Sequence, residues 1–247
     1  MPSFFESLRI WAGLERDYES NLRLGVILSF VAGATNAGGF LAVGQYTSHM
    51  TGMVSSIADN LVTGHYAVVS VALVALLAFV FGAMTTAWLI HWGFRRNLGC
   101  AFCLPLLLES FMLLVFGVFG ASISAVSTLL VPMTVVILCF IMGLQNAVIT
   151  KLSKSDIRTT HITGLVTDLG IELGKLAYIN RSEISSKVAA NRPKLRMLIL
   201  LIVGFSLGGL VGALAFKHIG YAMTLPLAAL VLLPTLRPIA QDLRSIL

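Results

Sequence analysis

Charged residues are scarce in this chain, and cysteine and proline are few. Asp, Glu, Lys and Arg make up only 11% of the 247 residues, whereas hydrophobic residues make up 57%. A soluble domain carries about 25% charged residues, so this composition excludes that class and indicates an integral membrane protein. Because each spanning helix needs about 20 residues, the length leaves no room for a separate soluble domain.

The chain has three cysteines, which is an odd number and too few for a disulfide framework: Cys100, Cys103 and Cys139. The Cys100-x-x-Cys103 spacing is that of redox motifs, but no second pair or nearby histidine completes a metal site. We therefore expect packed thiols, no metal and no cofactor.

Basic residues are in excess but do not cluster. The net charge is +6, yet Lys and Arg are spread over short connections instead of forming a patch, so we expect no nucleic-acid partner. Acidic residues before position 20 interrupt the pattern of a cleavable signal peptide. Apolar residues near helical spacing instead predict an interfacial helix over residues 1–21.

Six long apolar runs predict an all-α protein with six transmembrane helices. Glu109 lies within the third run, where a charged group costs about 2.5–3.5 kcal/mol on insertion scales, so it needs a partner or a proton. The runs are residues 22–44, 66–90, 101–119, 125–149, 195–216 and 219–236.

A polar stretch lies between apolar runs and occurs twice, at residues 47–61 and 159–173. Both copies contain His-x-Thr-Gly, at an offset of 112 positions for His49 and His161. Upstream, Phe30, Gly33, Asn36 and Ala37 match Phe140, Gly143, Asn146 and Ala147 at an offset of 110. The matches keep their order, which predicts a duplicated unit: residues 22–122 form the first membrane repeat and 123–247 the second.

The distribution of Lys and Arg decides whether the polar stretches cross the membrane, because these residues concentrate on the cytoplasmic side. With six spans and a cytoplasmic N-terminus, Lys217 alone lies outside. If both stretches crossed, Arg95, Arg96, Lys151 and others would move outside as well. The pattern therefore favours six spans with both termini in the cytoplasm.

The polar stretches are then predicted to be re-entrant half-helices. Residues 51–61 would form a helix of roughly 16 Å, about half of the 30 Å hydrocarbon thickness. Each repeat has three spans, so the second repeat is inverted relative to the first.

The start of each half-helix is the candidate site. Thr51 and Thr163 are expected as N-caps, and Gly52 and Gly164 permit a tight turn. Two N-termini that meet near the midplane would attract an anion or a polar solute. The predicted binding residues are Asn36, His49, Thr51, Gly52, Gln145, Asn146, His161, Thr163 and Gly164; the ionisable candidates for coupling are Asp59, Glu109, Asp168 and Glu172.

Structural alternatives stay open for several of these residues. Asn36 and Asn146 can instead bond the interrupted backbone, and the two histidines can instead cap helices or lie at an interface. Glu109 can be a packed, protonated group instead of a proton relay.

One catalytic pattern is excluded by its context. Gly204-Phe-Ser206-Leu-Gly208 matches a nucleophile elbow, which needs a strand-to-helix turn. Here it lies inside an apolar run, and together with Gly212 it is typical of a helix-packing stripe.

The doubled signatures resemble a known family. Gly33-x-x-Asn36-Ala37, Met50-Thr51-Gly52, Gly143-Leu-Gln145-Asn146-Ala147 and His161-Ile-Thr163-Gly164 are similar to the paired motifs of the YoaK-like family of bacterial multi-pass membrane proteins of uncharacterised function. The resemblance implies a location in the bacterial inner membrane. This chain has Asn36 where many members have Asp, and Met53 where an Asn commonly follows Thr-Gly.

From these residues we expect a permease for a small polar or anionic solute, and not an enzyme. A passive channel is the alternative within transport, and an intramembrane enzyme or a sensor subunit is the alternative from another class. The expected partners are the lipid bilayer and the solute, and the glycine-rich spans are compatible with a homo-oligomer.

Overall fold

The structure, a computed structural model, describes residues 18–122, 127–153, 159–180 and 187–246, and these ranges form helices joined by short connections. Residues 18–21 form the first turn of the first helix. The rest of the interfacial helix predicted over residues 1–21 lies outside the described ranges.

Eight α-helices and one 3-10 turn make up the described chain. Two of the helices, α2 and α6, are short, and each begins in one of the repeated polar stretches. The helices are α1 (Tyr18–Val43), α2 (Met50–Val62), α3 (Tyr66–Arg95), α4 (Cys103–Ser122), α5 (Ser127–Leu152), α6 (Ile162–Ala177), α7 (Arg192–Ile219) and α8 (Thr224–Ile246), with the 3-10 turn Gly220–Met223 between α7 and α8.

Among the described residues, five helical segments are long and apolar enough to cross a membrane, as in a multi-pass membrane protein. The last segment, Arg192–Leu236, has 45 residues and contains α7, the 3-10 turn and the first part of α8. Gly220 ends α7 with a φ of 60°, a backbone conformation that glycine adopts without strain.

The core lies around α1 and α5. Leu28, Val31, Leu138 and Met142 are fully buried, whereas α3 and α7 expose many large apolar side chains, as lipid-facing helices do. Helix α1 packs mainly against α7, and α5 packs mainly against α3. Helix α4 packs against α5 and α8, while α2 lies on α3 and α6 lies on α7.

Glycine lets α1 and α7 approach to backbone contact. A Cβ on Gly33 would overlap the carbonyl oxygen of Phe205, and a Cβ on Gly208 would overlap the carbonyl oxygen of Phe30. Gly204 and Gly212 also face α1, so the packing stripe predicted from their spacing is confirmed.

The crossing of α5 with α3 is built in the same way. A Cβ on Gly143 would overlap the carbonyl oxygen of Phe79, and a Cβ on Gly82 would overlap that of Phe140. All four helices therefore use a Phe-x-x-Gly segment, in which the phenylalanine carbonyl covers the glycine of the partner helix.

The connection between α3 and α4 is tied to the end of α8. The carboxylate of Asp242 accepts the backbone N–H of Gly99 at 3.1 Å and that of Cys100 at 2.9 Å. The sulfur atoms of Cys100 and Cys103 are in bonding contact. This corrects the expectation of separate thiols for these two cysteines, because the first turn of α4 brings positions 100 and 103 together. Cys139 is free and buried.

Candidate functional site

The two short helices begin with a histidine. His49 is the N-cap of α2 and His161 is the N-cap of α6. The expectation that Thr51 and Thr163 are the caps is therefore wrong: each threonine is the second residue of its helix. The helix begins earlier than expected because the residue before each histidine is held in the preceding loop by an asparagine.

The histidine rings lie over the first turn of their own helices. A Cβ on Gly52 would lie 2.7 Å from Nε2 of His49, and a Cβ on Gly164 would lie 2.6 Å from Cε1 of His161. Neither imidazole accepts a hydrogen bond as a cap. The glycines are thus explained by the space that the rings occupy.

The backbone N–H groups of these first turns are left available. No described residue accepts a hydrogen bond from the N–H of Thr51, Gly52, Thr163 or Gly164. The first N–H groups of a helix have no partner within the helix and carry its positive dipole end. Each histidine-capped start is therefore a donor surface for an acceptor from outside the helix.

Asn36 and Asn146 hold the loops before the two short helices. Oδ1 of Asn36 accepts the hydroxyl of Ser48 at 3.2 Å and its backbone N–H at 3.4 Å. Oδ1 of Asn146 accepts the hydroxyl of Thr160 at 2.8 Å. The structural alternative for the asparagines, bonding the interrupted chain, is thus present in both halves.

One cavity of about 820 Å³ joins the two helix starts. Its volume falls within the range of about 300–1,000 Å³ for small-molecule sites. Its walls come in corresponding sets from the two halves. The first half contributes Asn36, Tyr46, Ser48, His49, Met50, Thr51 and Phe79; the second contributes Asn146, Thr150, Thr160, His161, Ile162, Thr163 and Phe205.

Six predicted binding residues line this cavity, and three do not. Gly52 borders a second cavity of about 310 Å³, which shares Tyr46 and His49 with the first. Gly164 lies beneath the His161 ring. Gln145 is fully buried, and its Nε2 donates to the carbonyl of Leu28 at 3.0 Å, so it joins α5 to α1.

None of the predicted coupling carboxylates lines the cavity. Asp59 is exposed on α2. Glu109 is fully buried in α4, and neither of its carboxyl oxygens has a hydrogen-bond partner among the described residues. Asp168 forms an ion pair with Lys194 at 3.1 Å.

Glu172 has a structural role in joining α6 to α7. Oε1 accepts from Nζ of Lys175 at 2.8 Å, and Oε2 accepts the backbone N–H of Asn191, the N-cap of α7, at 2.8 Å. These two hydrogen bonds lower the pKa of the Glu172 carboxyl, and the bond from Lys175 makes the larger contribution.

Phe79 and Phe205 are cavity residues that the sequence did not single out. They lie within apolar helices, where neighbouring residues are equally hydrophobic, so hydropathy does not distinguish them. The signal that could have found them is the recurrence of Phe-x-x-Gly, at residues 30–33, 79–82, 140–143 and 205–208.

Comparison with known proteins places the chain in a family. A family model described as "Protein of unknown function (DUF1275)" matches residues 24–236. The chain belongs to DUF1275. The DUF1275 match includes α2, α6 and every residue that lines the cavity. It agrees with the resemblance to a family of uncharacterised function. No curated protein and no solved structure matches the chain.

Proposed function

We propose that this DUF1275 protein is a permease for a small polar or anionic solute in the bacterial inner membrane, of the YoaK-like type that its signatures resemble. The observation that carries the proposal is one cavity bordered by the N-termini of both short helices. Uncapped N–H groups and positive dipole ends face a shared space there.

An inverted repeat of six spans accounts for this arrangement. The pairing of α1 with α7 corresponds to the pairing of α5 with α3, as a two-fold exchange of the halves requires. Helix α2 has 13 residues and α6 has 16, so they are about 20 and 24 Å long, shorter than the hydrocarbon layer of about 30 Å. We infer that both are re-entrant and that α7 and α8 cross separately, with the chain termini in the cytoplasm.

A passive channel is the second candidate. It is favoured by the second cavity, which adjoins the first at Tyr46 and His49 and extends between α2 and α3. A response of flux to a pH gradient separates the two candidates, since a coupled carrier would respond and a passive channel for a neutral solute would not.

The test is solute flux into liposomes that contain the purified full-length protein. We expect at least one member of a panel of small anions, amides and weak acids to enter faster than it enters empty liposomes. Replacing both site threonines, by Thr51→Val combined with Thr163→Val, should slow that flux by at least about tenfold, since each hydrogen bond to a charged group is worth about 1.5–3 kcal/mol and about 1.4 kcal/mol corresponds to a factor of ten.

The matched control is Thr85→Val, because Thr85 is half-buried, lies outside the cavity lining and bonds the Phe81 carbonyl of its own helix through its hydroxyl at 2.8 Å. Its flux should equal that of the unmodified protein. If no panel member moves faster than in empty liposomes, or if the double variant transports normally, the permease proposal is rejected.

A further inference from the structure

The cavity is rich in hydrogen-bond donors and lacks charged side chains. None of its described lining residues is Asp, Glu, Lys or Arg. The open N–H groups of the two helix starts and the hydroxyls of Thr51 and Thr163 can donate, whereas the hydroxyls of Ser48 and Thr160 already donate to the two asparagines. A cation would find no carboxylate to offset its lost hydration, whereas an anion would find positive dipole ends.

Asn36 adds a donor that the helix starts alone do not provide. Its side chain is 8% exposed and lines the cavity. The backbone N–H of Ser48 can only donate, so its contact identifies the bonded atom of Asn36 as the oxygen. The amide nitrogen of Asn36 has no acceptor among the described residues. A donor that lines the cavity and has no acceptor among the described residues is available to an acceptor on a ligand.

Asn146, the counterpart in the second half, is arranged differently. Its Nδ2 donates to the carbonyl of Met142 at 2.8 Å, within its own helix. The two asparagines therefore share the task of holding a loop, but both N–H bonds of the Asn36 amide are open to a solute, whereas one N–H of the Asn146 amide is bonded within its own helix. The anion-binding end of the cavity is accordingly the end at Asn36 and the start of α2.

The remaining walls are apolar. Phe79 and Phe205 line the cavity together with Met50 and Ile162. A small inorganic anion would occupy little of a space of about 820 Å³ and would leave these side chains in contact with water. A solute with an apolar body would cover them, which is favourable at about 25 cal/mol for each Å² of apolar surface buried.

We propose that the solute is an organic acid that binds as a monocarboxylate, with its carboxylate at Asn36 and the N-terminus of α2 and its apolar body against Phe79 and Phe205. This inference rests on the proposed transport site and specifies the class of its substrate.

Binding to the purified full-length protein in detergent, measured by titration calorimetry, tests the proposal with four probes. Benzoate and hexanoate carry a carboxylate on an apolar body, benzylamine carries a cation on a similar body, and formate carries a carboxylate with no body. We expect the first two to bind at least about tenfold more tightly than the other two.

The matched variants are Asn36→Ala and Asn146→Ala. Both lose the hydrogen bond that holds a loop, but Asn36→Ala removes an amide with both N–H bonds open, whereas Asn146→Ala removes an amide with one N–H already bonded to Met142. We expect Asn36→Ala to weaken benzoate binding by about tenfold, the scale of one hydrogen bond to a charged group, and Asn146→Ala to weaken it by less than about threefold.

A second pair of variants tests the apolar body. In Phe79→Ala and Phe205→Ala the backbone carbonyls that pack on glycine remain, so the helix crossings are kept. These variants should weaken benzoate binding and leave formate binding unchanged.

Three results would overturn the assignment: no binding of either apolar carboxylate to the folded protein, benzylamine binding as tightly as benzoate, or equal losses in the two asparagine variants. If benzoate binds but no solute crosses the liposome membrane, the transport proposal is rejected and the proposed class of ligand is retained. If solutes cross the membrane with no preference for apolar carboxylates, the transport proposal is retained and the proposed class of ligand is rejected.

Discussion

The imidazoles of His49 and His161 occupy the space where a side chain at the third helical position would stand. This is a residue-level constraint, and it acts twice in the chain. Both histidines occupy N-cap positions, as one of the structural alternatives for them predicted. Their rings pack over the first turn of the helix and accept no capping hydrogen bond.

Gly52→Ala should therefore destabilise the protein by about 1–3 kcal/mol, the usual cost of overpacking. Thermal unfolding in detergent would show a lower midpoint. The control is Gly170→Ala in α6, where a Cβ meets nothing within 4 Å and the higher helix propensity of alanine should slightly raise the midpoint. If His49→Ala combined with Gly52→Ala does not recover stability relative to Gly52→Ala alone, the steric explanation is wrong.

Glu172 predicts a pH dependence of stability. Its carboxyl is hydrogen-bonded by Lys175 and by the N–H of Asn191, so its folded pKa is below the ordinary value of 4.5. A lowered pKa stabilises the folded state above pH 4.5, and this contribution is lost as the pH falls from there through the folded pKa.

We expect Glu172→Gln to remove part of the acid-induced loss of stability, which unfolding midpoints measured between pH 7 and pH 3 would show. Asp59→Asn is the matched control, because Asp59 is exposed and forms no ion pair with a described residue. An identical pH profile for Glu172→Gln and the unmodified protein would contradict the role assigned to Glu172.

The repeat located the polar residues of the site but not the direction of every side chain. Asn36, His49 and Thr51 were found because their copies recur in order. Gln145 was predicted as a binding residue because it belongs to the same repeated motif as Asn146. It does not line the cavity, and its amide instead donates to the carbonyl of Leu28. Which way a side chain turns depends on the neighbouring helix, which a single sequence does not specify.

At the scale of helices, the apolar runs predicted the long helices well, because a run of some 20 apolar residues can satisfy its backbone in lipid only as a helix. Their ends differ by up to ten residues: the third run continues to Ser122, the fourth to Leu152 and the sixth to Ile246. Helix ends depend on capping and on the chain beyond, where hydropathy gives little information.

The helix crossings offer a comparison of two adjacent glycines. Gly208→Ala would place a methyl group against the Phe30 carbonyl, whereas a Cβ on Gly209 meets only the Gly33 carbonyl, at an ordinary 3.8 Å. We expect Gly208→Ala to lower the yield of monodisperse protein in size-exclusion chromatography and to lower the unfolding midpoint. Gly209→Ala should be neutral or stabilising. Equal effects of the two substitutions would show that α1 and α7 do not cross as described.

At the scale of the whole molecule, the proposed inverted repeat would place the two short helices at opposite faces of the membrane. Ser55 and Thr167 are exposed on α2 and α6. In intact cells, a membrane-impermeant maleimide should label Ser55→Cys, and in inverted vesicles it should label Thr167→Cys. Val62→Cys, at the exposed end of α2, is the external control. Labelling of both sites from one face, or the reverse assignment, would refute the topology.

The six-span inverted topology, inferred from the distribution of Lys and Arg and from the order of repeated motifs, stays a prediction. The helical, multi-pass character of the chain could be predicted because it depends on apolar length, which a sequence displays. The pairing of α1 with α7 and of α5 with α3 could not. That pairing depends on which helix faces can approach to backbone contact, and only the four Phe-x-x-Gly segments carry a trace of it.

The helix crossings also bear on how such proteins can diverge. At Phe79 and Phe205 the backbone oxygen holds the scaffold, while the side chain faces the cavity. A mutation at the facing glycine cannot be compensated, since every amino acid at position 79 or 205 supplies the same carbonyl. A mutation of either phenylalanine leaves that carbonyl in place. If the cavity holds a solute as proposed, the solute preference can therefore change by substitution at these two positions while the helix crossings are kept.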